Sequence, residues 1–364
     1  MKESVQSIYS FDQLQADNFA NNIAKTLDAG AVSLMLSVGH KLELFDLLAD
    51  SPPSTSQQIA ERAGFTERYI REWLAVMVVS KVLKYDPTEK TYYLPAEHAA
   101  CLTRSSPSGN YAVYAQFIPL VSAVYPKLLD LFKSGEGLTY QEFPCFHDVM
   151  AEDSSQSVVG ELIETILPLA GDLPQRLEKG IDVLDAGCSK GLALLRMAKE
   201  YPDSYFTGYD FCHDAIEQAR ITAQKAGIKN IRYEIFDLTN FKEISRYDLI
   251  TSFDAVHDQK DPETFLGNIY QALKPGGVHL MQDIGGSAHL EQNYEFPMAA
   301  LLYTISCTHC TPVSLAQGGV GLGTMWGRET ALKMLKQAGF QSIDQKVFDH
   351  DPMNIWFISR KAIA

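Results

Sequence analysis

From Ile181 onward, short apolar runs alternate with helical stretches, and this alternation constrains the fold more than any other feature of the 364-residue chain. Strands are predicted at Ile181–Asp185, Tyr205–Tyr209, Ile231–Phe236, Tyr247–Ser252, Val278–Gln282, Ile343–Val347 and Ile355–Ser359. Helices fall between them, among them Gly191–Glu200, Asp214–Gly227, Pro262–Leu273 and Arg328–Ala338. Strand–helix alternation is the signature of a parallel sheet with helices packed on its faces. Seven strands, the last two reading as an antiparallel pair, predict an α/β doubly wound sheet.

The first half is patterned differently, with almost wholly helical spacing from Phe11 to about Ala170. Over Ala31–Leu48, Leu34, Met35, Val38, Leu42, Phe45 and Leu48 recur at three- and four-residue intervals, giving an amphipathic helix or helix pair. Ser51-Pro52-Pro53-Ser54 breaks the pattern, and Ser54 or Thr55 can cap a short helix over Ser56–Ala63. After a turn at Gly64-Phe65-Thr66, Thr66 is expected to cap a helix over Glu67–Ser80. Val82–Tyr85 and Thr91–Leu94, joined through Asp86–Lys90, read as a β-hairpin. Helix, helix-turn-helix and hairpin follow one another in the order of a winged helix. Residues 105–170 read as further helices joining the two halves.

Charge bears on what a winged helix here can do. The chain carries 31 Lys and Arg against 45 Asp and Glu, a net charge of −14. Residues 40–100 hold 7 basic against 9 acidic side chains, and the second helix of the motif carries Trp73, Leu74, Val76, Met77, Val78 and Val79, which call for burial. Affinity for nucleic acid or anionic lipid comes mainly from Lys and Arg. The expectation is therefore a packing or dimerisation module with no nucleic-acid and no membrane partner. Met1–Ser10 has no basic segment leading into an apolar run, so no secretory signal is expected. Ser105–Pro126 and Phe296–Gly327 are uncharged but broken by Pro, Gly, Ser or Gln, short of a membrane span. Six irregularly spaced cysteines suggest a reducing, cytoplasmic setting.

The first strand of the second half runs into Asp185-Ala186-Gly187-Cys188-Ser189-Lys190-Gly191, a turn that lets a ligand approach the backbone at a helix N-terminus. A dinucleotide fingerprint needs glycine where Ser189 and Leu192 stand, so a pyrophosphate ligand is disfavoured. Asp210 ends the second strand, Asp237 follows the third between Phe236 and Leu238, and Leu273-Lys274-Pro275-Gly276-Gly277 precedes the fifth. In this order the four elements resemble class I S-adenosylmethionine-dependent methyltransferases, with Ser189 departing from the family's middle glycine.

The resemblance implies a Rossmann-like sheet of this kind, an N-terminal winged-helix dimerisation domain, and S-adenosylmethionine as cofactor with S-adenosylhomocysteine as product. It implies cofactor contacts from Asp185, Gly187, Cys188, Ser189, Gly191, Asp210, Phe211, Asp237, Leu238 and Phe253, with Asp210 on the ribose hydroxyls and Asp237 on the adenine amino group. The expected domains are 1–104 (winged helix, homodimerising), 105–170 (helical linker and pocket segment) and 171–364 (catalytic), with a lid insertion at 285–327.

The expected reaction is in-line methyl transfer to the oxygen or nitrogen of a small, largely apolar acceptor. His257, in Phe253-Asp254-Ala255-Val256-His257-Asp258 at the carboxyl edge of the fourth strand, stands where similar enzymes carry their base. Cys307-Thr308-His309-Cys310 is half a zinc motif at most, so no metal is expected; His309 is a second base candidate. Tyr114, Phe146, Cys310 and Trp326 are expected to line the acceptor pocket, under a cover loosened by Gly318, Gly319, Gly321, Gly323 and Gly327. A cofactor-binding regulator, an inactive scaffold, and methylation of a thiophilic substrate such as arsenite at Cys145, Cys307 or Cys310 are the alternatives.

Overall fold

The computed structural model describes residues 11–106 and 109–363. The first ten residues, on which the reading of a missing secretory signal rests, lie outside the described residues, as do two positions of Ser105–Pro126. The chain divides into two compact units, Met1–Pro119 and Leu120–Ala364.

In the first unit the opening helix runs from Gln13 to Lys41, far longer than the pattern over Ala31–Leu48 suggests, and a separate helix Leu44–Ala49 follows. The early turns carry Leu14, Phe19, Ile23 and Leu27, which stay exposed within this chain. Helix Ser56–Ala63 is capped by Thr55, whose side chain accepts from the Gln58 N–H while Gln58 bonds back to the Thr55 N–H. Thr66 stands at the start of helix Glu67–Val79 but makes no capping bond with its side chain, contrary to expectation. That helix buries Ile70, Trp73, Leu74 and Met77 on one face, whereas Val79 is 78% exposed, also contrary to expectation. Its Arg68 and Arg71 pair with its own Glu72 and Glu67. Strands β1 (Lys84–Asp86) and β2 (Thr91–Tyr93) form the hairpin.

The second unit holds a seven-stranded sheet of β3 (Asp182–Ala186), β4 (Tyr205–Asp210), β5 (Ile231–Ile235), β6 (Tyr247–Phe253), β7 (Leu273–Ile284), β8 (Ser342–Phe348) and β9 (Asp351–Arg360). Their order is β5-β4-β3-β6-β7-β9-β8; the first five are parallel, and β9 runs antiparallel to both β7 and β8. The segment Leu273–Gly277, expected as a turn before the fifth strand, belongs to β7 itself, with Leu273 paired to Tyr247 across a register shift. Alternate residues feed two cores. Val183, Leu249 and Leu280 join one face with Leu194, Ile216 and Trp356; Leu184, Ile250 and Met281 join the other with Phe265, Leu335 and Phe340. Both faces are covered, which is why the strands read as near-continuous apolar runs. Among the described residues, no single helix is long and apolar enough to cross a membrane.

Candidate active site

Neighbouring strands on the two sides of β3 are reached by connections running in opposite directions, which opens a crevice beyond the carboxyl ends of β3 and β6. Acids crowd that edge: Asp185 in β3, Asp210 in β4, Asp254 and Asp258 beyond β6, and Asp283 in β7. The turn after β3 is shaped by close approach. The Gly187 N–H and the Cys188 N–H both donate to the Tyr209 carbonyl, at 2.9 and 3.1 Å. A Cβ on Gly187 would meet the Ala255 Cβ at 2.6 Å and its φ is +88°, so only glycine fits there. Gly191, at φ +68°, opens helix Leu192–Glu200 beneath the Tyr233 ring.

Ser189 takes φ +46°, the left-handed conformation that glycine adopts freely. Its N–H donates to Asp210 Oδ2 at 2.8 Å and its hydroxyl lies 3.0 Å from His147 Nδ1, so two bonds compensate the departure from glycine. Asp210 is buried and also accepts from the Cys212 N–H at 2.8 Å. Burial raises its pKa, while the hydrogen bonds and nearby His147 pull it back. The two N–H bonds fix the carboxylate plane and leave lone pairs for a diol.

Asp185 is held by the Thr251 hydroxyl at 2.7 Å, and burial pushes its pKa up to about 7. Asp237 behaves differently. Burial would raise its pKa, but the Lys260 ammonium at 2.7 Å and the Thr239 hydroxyl and N–H bring it below the usual carboxylate value. Its carboxylate caps the turn Leu238–Asn240, while Leu238 lines the crevice.

The crevice is subdivided. A cleft of about 80 Å³ lies between Gly187, Asp210, Phe211, Leu238, Asp254 and Asp258. A second of about 70 Å³ is bounded by Asp185, Cys188, Gly191 and Phe253. Met150, on helix Phe146–Ser154, lines both, and His147 lines the first and a wider cleft of about 400 Å³ that includes Cys145 and Lys190. Lys190 pairs with Asp148 of the same helix. Gly187, the Asp210 acceptor and the apolar Phe211 and Leu238 fit a nucleoside, but each small cleft is below the roughly 300–1,000 Å³ of most small-molecule sites.

Beside the cleft lies His257, 4% exposed. Its Nδ1 is 2.8 Å from Asp283 Oδ1 and its Nε2 is 3.4 Å from Asp258 Oδ1. The same Asp283 oxygen accepts from the Trp326 indole at 3.0 Å, and Asp258 accepts from the Tyr140 hydroxyl at 2.8 Å. Burial alone would lower the His257 pKa, but the Asp283 and Asp258 carboxylates outweigh it and hold the imidazole well above 6.5. Asp254, at φ +47°, is pushed up to about 8 by burial and by Asp283.

His309 is buried in an aromatic box, stacked on Phe146 at 4.0 Å and edge-on to Phe143 and Tyr140. Burial drives its pKa down to about 4, so it is neutral at ordinary pH. Thus His257, His309, Phe146, Cys310 and Trp326 converge, whereas Tyr114 belongs to the first unit, half-buried with its ring edge-on to Tyr111. Cys307 and Cys145 are exposed while Cys310 is buried, so the Cys-x-x-Cys pair is split. Of the five glycines expected to loosen the cover, three are packed: a Cβ on Gly319, Gly323 or Gly327 would lie 2.4, 2.2 or 2.1 Å from its nearest neighbour, whereas Gly318 has nothing within 4 Å.

Tyr140 and Asp283 escape the sequence reading. An acid at the carboxyl end of a parallel strand is a signal that could have found Asp283; Tyr140 carries none.

The turn itself is testable. A Cβ on Gly191 would lie 2.3 Å from the Tyr233 ring. Gly191→Ala is expected to cost about 2 kcal/mol of stability, from the left-handed backbone and the overlap together. Denaturant unfolding reads the loss; an unchanged midpoint contradicts the assigned role of this glycine.

Residues 30–104 match the model of the Rv2258c-like winged HTH domain, and residues 177–339 match that of a methyltransferase domain. The ubiquinone biosynthesis O-methyltransferase of Coxiella burnetii is 33% identical over 128 residues, 35% of this chain and 49% of that protein. The chain thus spans about half the length of the curated relatives it matches. Human N-acetylserotonin methyltransferase, solved in complex with SAM, superposes with a TM-score of 0.67 at 20% identity, covering 98% of this chain and 100% of that one. The mitomycin 7-O-methyltransferase structure gives 0.67 at 17% identity, covering 96% and 100%.

Proposed function

We propose, for a chain that belongs to the class I S-adenosylmethionine-dependent methyltransferases with an N-terminal winged-helix domain, that it methylates a small, largely apolar acceptor through an oxygen or nitrogen. The observation that carries the reading is His257, buried beside the Asp210 cleft with its ring fixed by Asp283. With Nδ1–H donated to Asp283, the neutral ring turns its Nε2 lone pair to the Asp258 side, where it would take the acceptor proton. The O-methyltransferase names of the curated relatives favour oxygen.

When bound, S-adenosylmethionine supplies an activated methyl group; the protein's work is placement, dryness and proton removal. Asp210 would hold the ribose hydroxyls, with Phe211 and Leu238 against the base and Asp185 and the Gly187–Gly191 turn around the amino-acid end. Asp237, Cys188 and Phe253 complete the expected contacts. Tyr140 and Phe146 give the acceptor an apolar, water-poor wall, and Trp326 locks Asp283. His309, neutral and boxed in by rings, contributes shape. Residues 171–364 form the catalytic domain in this reading, 285–327 its acceptor-side cover and 105–170 the pocket segment. The test is transfer of labelled methyl from the cofactor to extract fractions, which His257→Ala should lose.

The first unit serves dimerisation in this reading. Exposed Leu14, Phe19, Ile23 and Leu27 on helix Gln13–Lys41 present apolar side chains for a second copy, and the self-paired Arg68 and Arg71 leave little to attract DNA. Free cysteines fit a cytoplasmic setting. Phe19→Asp together with Leu27→Asp is expected to turn a dimer into a monomer by light scattering. A mass unchanged by the substitutions contradicts the assignment.

A further inference from the structure

We infer that His257, Asp258 and Cys310 form a site for a soft divalent metal ion of the zinc type, and that filling it silences the enzyme. The inference rests on His257 being the base proposed above. One ligand atom from each residue lies within 4.8 Å of the others, and all three residues are buried. An imidazole nitrogen, a thiol sulfur and a carboxylate oxygen together suit zinc; magnesium and calcium favour oxygen alone.

The surrounding bonds orient each ligand. Asp283 takes the Nδ1 side of His257 at 2.8 Å, which leaves the Nε2 lone pair on the Asp258 side, 3.4 Å from Oδ1. A carboxylate behind a ligating imidazole is the usual support for a metal-bound histidine. The Tyr140 hydroxyl holds Asp258 Oδ2 at 2.8 Å, while Oδ1 has no hydrogen-bond partner among the described residues although it is buried. The Thr324 hydroxyl donates to Cys310 Sγ at 2.9 Å, a bond that would stabilise a thiolate. Each ligand thus has its own fixed support. Asp258 also lines the cleft shared with Asp210, which gives an ion a route to the site. Three protein ligands are the set that catalytic-type zinc sites use.

The Cys307-Thr308-His309-Cys310 run reads in sequence as half a zinc motif closed by its own two cysteines. The helical turn Ser306–Cys310 instead leaves Cys307 exposed and carries Cys310 inward. The Nε2 lone pair that takes the ion is the one that would take the acceptor proton. Metal binding and base catalysis therefore exclude each other.

The test uses the full chain, freed of metal by a chelator, with Co²⁺ as probe and Zn²⁺ as competitor. One equivalent of Co²⁺ should give thiolate-to-metal absorption in the near ultraviolet, which Zn²⁺ abolishes. Cys310→Ala should lack the band, and Asp258→Asn should weaken Co²⁺ binding by about tenfold or more. Circular dichroism checks folding; should Cys310→Ala fail to fold, Cys310→Ser must show the same loss of the band. No thiolate band in the unsubstituted protein, or a band that survives removal of Cys310, overturns the site. Zn²⁺ should also lower methyl transfer, with recovery on chelation; a band without inhibition overturns the exclusion. The band is read without turnover, so it stands apart from any failure of His257 as base.

Discussion

Asp210→Ala should weaken binding of S-adenosylhomocysteine by about 100-fold or more, measured by titration calorimetry. A buried carboxylate receiving two hydroxyl bonds contributes about 1.5–3 kcal/mol through each, and about 1.4 kcal/mol is tenfold in affinity. The carboxylate is already aimed by the Ser189 and Cys212 N–H groups, so little ordering opposes ligand binding. Asp210→Asn keeps one acceptor oxygen and should lose less. Equal affinity in Asp210→Ala and the parent protein would remove the nucleoside from this cleft.

His257→Ala is expected to lower kcat by about 100- to 10,000-fold, the range for loss of a positioned general base, while S-adenosylhomocysteine still binds. The pH profile gives an independent sign. Only neutral imidazole accepts a proton, so kcat/KM should rise with pH and level off above the His257 pKa. Asp283 and Asp258 hold that pKa above 6.5, so the midpoint of the acid limb should lie above 6.5 as well. Asp283→Asn removes the leading attraction and should move the midpoint down. A limb that is unmoved in Asp283→Asn and persists in His257→Ala belongs to some other group.

The sheet-bearing half is legible in sequence because its strands are buried on both faces and its helices have clear ends. Arg328–Ala338 matches residue for residue, and β4 differs from its expectation only by including Asp210. Legibility fails where structure depends on partners distant in sequence. Helical spacing is read from Phe11, but an amphipathic face only over Ala31–Leu48, because Leu14, Phe19, Ile23 and Leu27 stay exposed within this chain. Leu273–Gly277 looks like a turn by composition, but pairing with Tyr247 draws it into β7. The cofactor turn could be read since each glycine answers a local steric demand. The surroundings of His257 could not, because Tyr140, Asp283 and Cys310 come from widely separated segments. The glycines between Ser314 and Arg328 suggest looseness by type, whereas the fold uses Gly319, Gly323 and Gly327 for close packing.

We propose that this crevice delivers a methyl group to a small acceptor. Its most direct test offers radiolabelled S-adenosylmethionine and fractionated small-molecule extract to the parent protein, Asp210→Ala and His257→Ala. Label is expected in a small, apolar product with the parent protein alone. Label transferred equally well by Asp210→Ala, or by none of the three proteins from any fraction, would contradict it.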